Sequence, residues 1–230
     1  MIVPLTREIF EQLIPLVATG PQYAYYWGDW RNLLKQLLIS FVAVVVCLLL
    51  GLVFGEAGRA LTLILCLITG LYWLWGPIYW ASLRNAAYRR YPYSGFLRGQ
   101  VRDVFLSEEL IGEEETVDKL GRLVIIENRE RRINVEIGDE TGFNALVQGP
   151  LRRVHKAIAP GQGVELLVLS NQPDLARIVK ITDVFIPRLN LWVGDYPYLQ
   201  REAFVSVSQE LNNPEKSRRR PPRRRYGDRA

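Results

Sequence analysis

Residues 37–54 read LLISFVAVVVCLLLGLVF, without one charged side chain. A helix needs roughly 20 apolar residues to cross a hydrocarbon core of about 30 Å. This run reaches that length once a few residues before Leu37 are included. A second run, residues 60–83, reads ALTLILCLITGLYWLWGPIYWASL and is also uncharged. Only Gly55-Glu56-Ala57-Gly58-Arg59 separates them, which leaves room for a tight turn and nothing more. The expectation is a membrane α-helical hairpin over residues 31–90, with two transmembrane helices at about 35–55 and 60–82. The first run begins too late for a cleaved signal peptide, and another apolar run follows at once.

The flanks suggest an orientation. Arg31 and Lys35 precede the first run; Arg84, Arg89 and Arg90 follow the second, and the turn holds a single Arg. The positive-inside bias then places both termini on the cytoplasmic side of an integral membrane protein. Neither run contains His, Asp, Glu, Lys or Arg, the residues that mark ion paths and proton relays within membranes. That reads against a transporter or channel built by this chain alone.

Small and aromatic residues decorate the hairpin. Gly51 and Gly55, four apart, would let two helix backbones pack closely. Gly76 and Pro77 predict a bend in the second run. Tyr25, Tyr26, Trp27 and Trp30 stand before the first helix, and Trp80 lies near the end of the second. An aromatic belt at the headgroups accounts for such placement. Trp73 and Trp75 should lie deeper than a belt requires, which admits the alternative of a docking surface for a partner.

Before the hairpin, residues 1–30 form a separate segment. Phe10, Leu13, Ile14 and Val17 recur at helical spacing, and Pro15 should end the helix near Ile14. Periodicity does not distinguish a helix packed on a folded domain from one lying on a membrane surface.

After the hairpin, residues 95–210 change texture. Strands are expected near 100–106, 122–127, 133–137, 164–169 and 176–186, and a helix at 147–159. The acidic stretch 108–118 reads as a loop. Strand, strand, strand, helix, strand, strand is the order of an OB-like β-barrel, with another small all-β or α+β barrel as the alternative. Residues 97–210 carry 14 Lys and Arg against 18 Asp and Glu, which gives no general attraction to phosphate backbones and makes nucleic acid an unfavoured partner.

The last segment, 211–230, holds eight Lys and Arg against two acids, so it accounts for the chain's net charge of +5. Arg218, Arg219, Arg220, Arg223, Arg224 and Arg225 surround two prolines. The composition predicts a disordered polybasic tail. With Arg84, Arg89 and Arg90 it could contact anionic lipid headgroups.

No phosphate loop, dinucleotide fingerprint, zinc spacing or nucleophile elbow occurs. Cys47 and Cys66 both lie inside the apolar runs, and His155, the sole histidine, sits in a basic stretch typical of a solvated surface. No catalytic, cofactor or metal residue is therefore nominated, and an enzyme is not expected.

The opening Met1-Ile2-Val3-Pro4-Leu5-Thr6-Arg7 and the stretch Ala18-Thr19-Gly20-Pro21-Gln22-Tyr23-Ala24-Tyr25-Tyr26-Trp27-Gly28, with the hairpin behind them, resemble an uncharacterised family of cyanobacterial membrane proteins. Its members often carry the label phosphate ABC transporter permease. The resemblance is clearest over residues 1–100. It implies a thylakoid or plasma membrane and a role as accessory, assembly or scaffold factor for a larger membrane complex, a photosystem among them. An auxiliary transporter subunit and nucleic-acid binding through barrel and tail are the alternatives.

Overall fold

The computed structural model describes residues 2–28, 30–55, 58–117, 123–140 and 142–212. The polybasic segment expected from 211 onward lies, beyond Asn212, outside the described residues. In chain order the elements are β1 (Ile2–Pro4), α1 (Arg7–Leu13), α2 (Gly20–Trp27), α3 (Trp30–Phe54), α4 (Arg59–Gly70), α5 (Tyr72–Arg89), β2 (Tyr93–Val117), β3 (Leu123–Gly138), β4 (Asn144–Pro150), β5 (Gly163–Ser170), β6 (Ile178–Ile186), β7 (Leu191–Val193) and α6 (Arg201–Asn212).

The expected pair of membrane helices is corrected. Among the described residues, α3 is the one helix long and apolar enough to cross a membrane by itself. The second apolar run breaks at Leu71 into α4 and α5, which meet at 68°. α4 folds back along the outer part of α3, where Gly70 faces Val44. The break leaves backbone groups without helical partners, and side chains take them up. Ser40 Oγ accepts from Trp73 N–H at 3.1 Å, and Trp75 Nε1 donates to Ile68 O at 2.9 Å. The bend expected at Pro77 lies instead before it. Pro77 sits inside α5, and its missing N–H would strand the carbonyl of Trp73. Trp27 Nε1 donates to that carbonyl at 3.2 Å.

The OB-like barrel is also corrected. The strands form one seven-stranded antiparallel sheet in the order β4-β3-β2-β5-β6-β7, with β1 on β2. The helix expected at 147–159 is absent. Its first part is β4, and only a 3-10 turn, Arg153–Ala157, follows. Gly149 and Pro150 spoil a helix there, and β4 pairs with β3 from Asn144 to Pro150. The acidic stretch read as a loop belongs to β2. Opposite charges across the ribbon hold it extended: Glu108 faces Arg131 in register, and Arg132 meets Glu109 at 2.9 Å. From Leu123 to Glu130, β3 pairs with β2 alone among the described residues, so the ribbon there is two strands wide.

Two cores lie on opposite faces of the sheet, as period-2 alternation requires. Leu97, Leu166, Val168, Val184 and Ile186 fill one with Val135 and Val147. Phe96, Leu167, Leu169 and Phe185 face the other, where α1 supplies Phe10 and Leu13, and α6 supplies Phe204. β5 is therefore buried on both faces, which explains its almost unbroken apolar run. The sheet curls until its edges meet: a Cβ on Gly149 would lie 2.9 Å from Gly194 O.

The N-terminal segment joins this body. β1 pairs with β2, and α1 buries Phe10 and Leu13 in the second core. The chain thus enters and leaves the α3–α5 limb from the same folded unit.

Candidate functional site

Where α2 crosses the closing edge of the sheet lies a partly open cavity of about 280 Å³. Pro21, Ala24, Tyr25 and Gly28 form the α2 wall. Pro150, Arg152 and His155 come from the end of β4 and the 3-10 turn, Asp183 from β6, and Trp192–Pro197 with Arg201 from the segment leading into α6.

His155 is 4% exposed. Its Nδ1 accepts the backbone N–H of Arg152 at 3.2 Å, which leaves Nε2 as the protonated nitrogen of the neutral ring. Burial, together with the charge of Arg152, pushes the imidazole pKa down. Asp183 is 5% exposed, on a strand otherwise rich in apolar side chains. Its Oδ1 accepts from Leu199 N–H at 3.2 Å. Burial pushes the carboxyl up to about 7, although backbone N–H groups and the charge of Arg201 pull the other way. His155 Nε2 and Asp183 Oδ2 are both buried without a hydrogen-bond partner among the described residues. Gly194 makes room for Asp183, since a Cβ there would sit 2.7 Å from that of the aspartate.

Two arginines line the cavity. Arg152 and Arg201 are exposed, and the Arg201 guanidinium lies 5.7 Å from the centre of the Trp192 ring. Asp195 is matched by Arg132 at 2.7 Å. No group of three His, Cys, Asp or Glu side chains suited to a metal occurs among the described residues.

The residues singled out from the sequence are spread over several environments. Gly51 packs against Thr62 of α4 at 2.6 Å from a would-be Cβ, whereas Gly55 has open space and ends α3 at φ +62. Tyr25 and Tyr26 pack edge-on against Tyr196, at 5.0 and 6.2 Å between ring centres. Trp27 stacks on Trp73 at 5.6 Å. Trp30, Trp75 and Trp80 remain exposed.

Arg84 covers the ring of Tyr196 at 4.6 Å. Arg89 turns inward, where it bonds Ile14 O at 2.9 Å and pairs with Glu11 at 2.8 Å. Of the three arginines that follow the second apolar run, Arg90 alone is exposed. The tail arginines from Arg218 to Arg225 lie outside the described residues.

His155 and Asp183 were not legible as a pair. The basic neighbours of His155 suggest a surface, yet the 3-10 turn rotates the ring inward. The acid in the apolar strand 178–186 was the usable signal, because a buried carboxyl needs a reason to be there.

The model of a family described as "Family of unknown function (DUF8619)" matches residues 3–218. No curated protein and no solved structure matches the chain.

Proposed function

The chain belongs to that family of unknown function, and we propose that it is a membrane-inserted accessory protein that holds its sheet domain at the membrane surface for a larger membrane complex. The carrying observation is the bareness of the α3–α5 limb. Only 6% of the most apolar stretch of α3 is buried, so it is not packed as the core helix of the folded unit. Leu38, Phe41, Leu49, Leu52, Leu63 and Leu67 are among its exposed side chains. A continuous apolar surface of this extent needs a cover. A bilayer supplies one, at roughly −0.3 to −0.6 kcal/mol for each central Leu, Ile, Phe or Val.

The junction supports a platform rather than a loose tether. Arg7 donates to Arg89 O and Tyr91 O at 2.9 and 3.0 Å, and Tyr88 stacks on Tyr198 at 3.8 Å. The sheet is therefore fixed relative to the limb. Both ends of the limb join the same body, which supports both termini on one side, and the basic flanks favour the cytoplasmic side.

The test is extraction of cell membranes at alkaline pH, followed by purification of the tagged full-length chain in mild detergent. The expected result is resistance to extraction and recovery with a defined set of membrane proteins. A chain that leaves the membrane fraction under alkali, or that forms a discrete oligomer in buffer without detergent, overturns the reading.

A further inference from the structure

We propose that α5 lies along the surface of the near leaflet, with one side against the sheet domain and the other in lipid. This placement rests on the membrane-inserted reading of the limb. Sequence spacing sets the two sides. Pro77, Ala81 and Asn85 recur every four residues and are buried, and Asn85 meets Gln22 of α2 there. Trp75, Tyr79 and Leu83 recur at the same interval, two residues out of phase, and are exposed. Positions two apart on a helix lie about 200° from each other, so the exposed stripe points away from the domain.

The bend decides what covers that stripe. α4 has no buried residue, and Leu61, Leu63, Ile64 and Leu67 are exposed along it, so it belongs in hydrocarbon beside α3. α5 departs from α4 at 68°. With α4 near the membrane normal, α5 therefore runs close to the membrane plane, the attitude of an interfacial helix. Its domain side is already occupied, which leaves the opposite side to lipid. At the elbow, Leu67, Ile68, Leu71 and Trp75 line an open apolar hollow of about 430 Å³. Nothing polar lines it to hold water, and acyl chains fill it.

The exposed indoles of α5 suit hydrocarbon. Trp75 Nε1 donates to Ile68 O at 2.9 Å, and Trp80 Nε1 donates to Tyr72 Oη at 3.0 Å. Both donors are satisfied within the limb, so the rings enter lipid without stranding a polar group. Arg90, exposed just past the end of α5, comes at the headgroup level, where anionic lipid favours a cation.

The depth of spin labels tests this placement. The full-length chain, with Cys47→Ala and Cys66→Ala, is reconstituted in liposomes of equal phosphatidylcholine and phosphatidylglycerol. Labels are attached singly through Leu71→Cys, Tyr79→Cys or Leu83→Cys, and through Leu49→Cys on α3, all exposed positions. Labels at 79 and 83 should meet dissolved oxygen rather than a nickel chelate, about 5–10 Å below the phosphates. Between 71 and 83 the contour is about 18 Å, so a helix inclined at 68° to the normal changes depth by about 7 Å. A change near the full contour length, or chelate contact at 79 and 83 while the Leu49→Cys label lies deep in lipid, overturns the placement of α5 alone. Chelate contact at the Leu49→Cys label as well overturns the membrane-inserted reading with it.

Discussion

Gln22 and Asn85 bond each other reciprocally inside the protein, with Gln22 Nε2 donating to Asn85 Oδ1 at 3.1 Å and Asn85 Nδ2 donating to Gln22 Oε1 at 2.8 Å. Both side chains are fully buried. The pair ties α2 to α5, and Gln22 Nε2 also reaches Pro197 O and Tyr198 O at 2.9 and 3.2 Å. Three parts of the chain that are far apart in sequence thus meet on one amide.

Removing either amide should therefore loosen the limb from the sheet. Gln22→Ala strands more groups than Asn85→Ala, and the expected losses are about 2–4 and about 1–3 kcal/mol. The double variant should cost less than the sum, because each single change already orphans the other partner. Denaturant unfolding followed by tryptophan fluorescence measures all three.

Stability should fall as pH rises from about 4 to about 7. The cause is Asp183, whose carboxyl burial pushes from 3.8 up to about 7. In that window the folded chain keeps a proton that the unfolded chain has released, so rising pH favours unfolding. The full change is about 4 kcal/mol, complete above the folded value. Arg201 is the charged side chain that acts on this carboxyl, and no ion pair to it is formed among the described residues. Asp183→Asn should flatten the slope. Unfolding at pH 5 and pH 8, for both chains, decides the matter.

Gly149→Ala should lower the unfolding midpoint. Its new methyl would lie 2.9 Å from Gly194 O and 3.2 Å from Gly194 N, and both are backbone atoms that cannot swing aside. An overpacked contact of this kind costs about 1–3 kcal/mol. At about 2–4 °C per kcal/mol for a chain of this size, thermal melts resolve it. Gly112→Ala serves as the comparison, because nothing lies within 4 Å of its would-be Cβ.

Leu49→Arg should impair membrane association without unfolding the sheet. Leu49 is 59% exposed on α3, so no core contact is lost. Arginine costs roughly 2.5–3.5 kcal/mol at the centre of a spanning helix and less toward its ends, so the cost at Leu49, in the last quarter of α3, falls below that. The alkali-resistant fraction should drop, while circular dichroism of the purified variant keeps its β signal. An unchanged resistant fraction would show that α3 does not rest in lipid.

Local pattern carried much of the architecture. Two uncharged runs announce an apolar limb, because apolar length is a property of composition alone. The alternation at 133–137 and the apolar run at 164–169 announce strands, because side-chain direction along a strand has period 2. The break at Leu71 was not legible. It depends on whether Ser40, Trp75 and Trp27 are near enough to take up the freed backbone groups, and those partners come from other parts of the fold or from across the bend. The strand at 108–117 was hidden for a similar reason: Glu108 and Glu109 read as a loop until Arg129, Arg131 and Arg132 pair with them.

The sequence alone thus determined that an uncharged limb interrupts a strand-rich chain, since both follow from the order of apolar and polar residues. Only the tertiary structure decided that one helix of that limb is continuous and the other bent, and that the sheet curls until Gly149 meets Gly194. It alone also brought His155 and Asp183, 28 positions apart in sequence, into the lining of one cavity. Burial and the choice of hydrogen-bond partner are properties of contacts between distant segments, and no local pattern of residues specifies them.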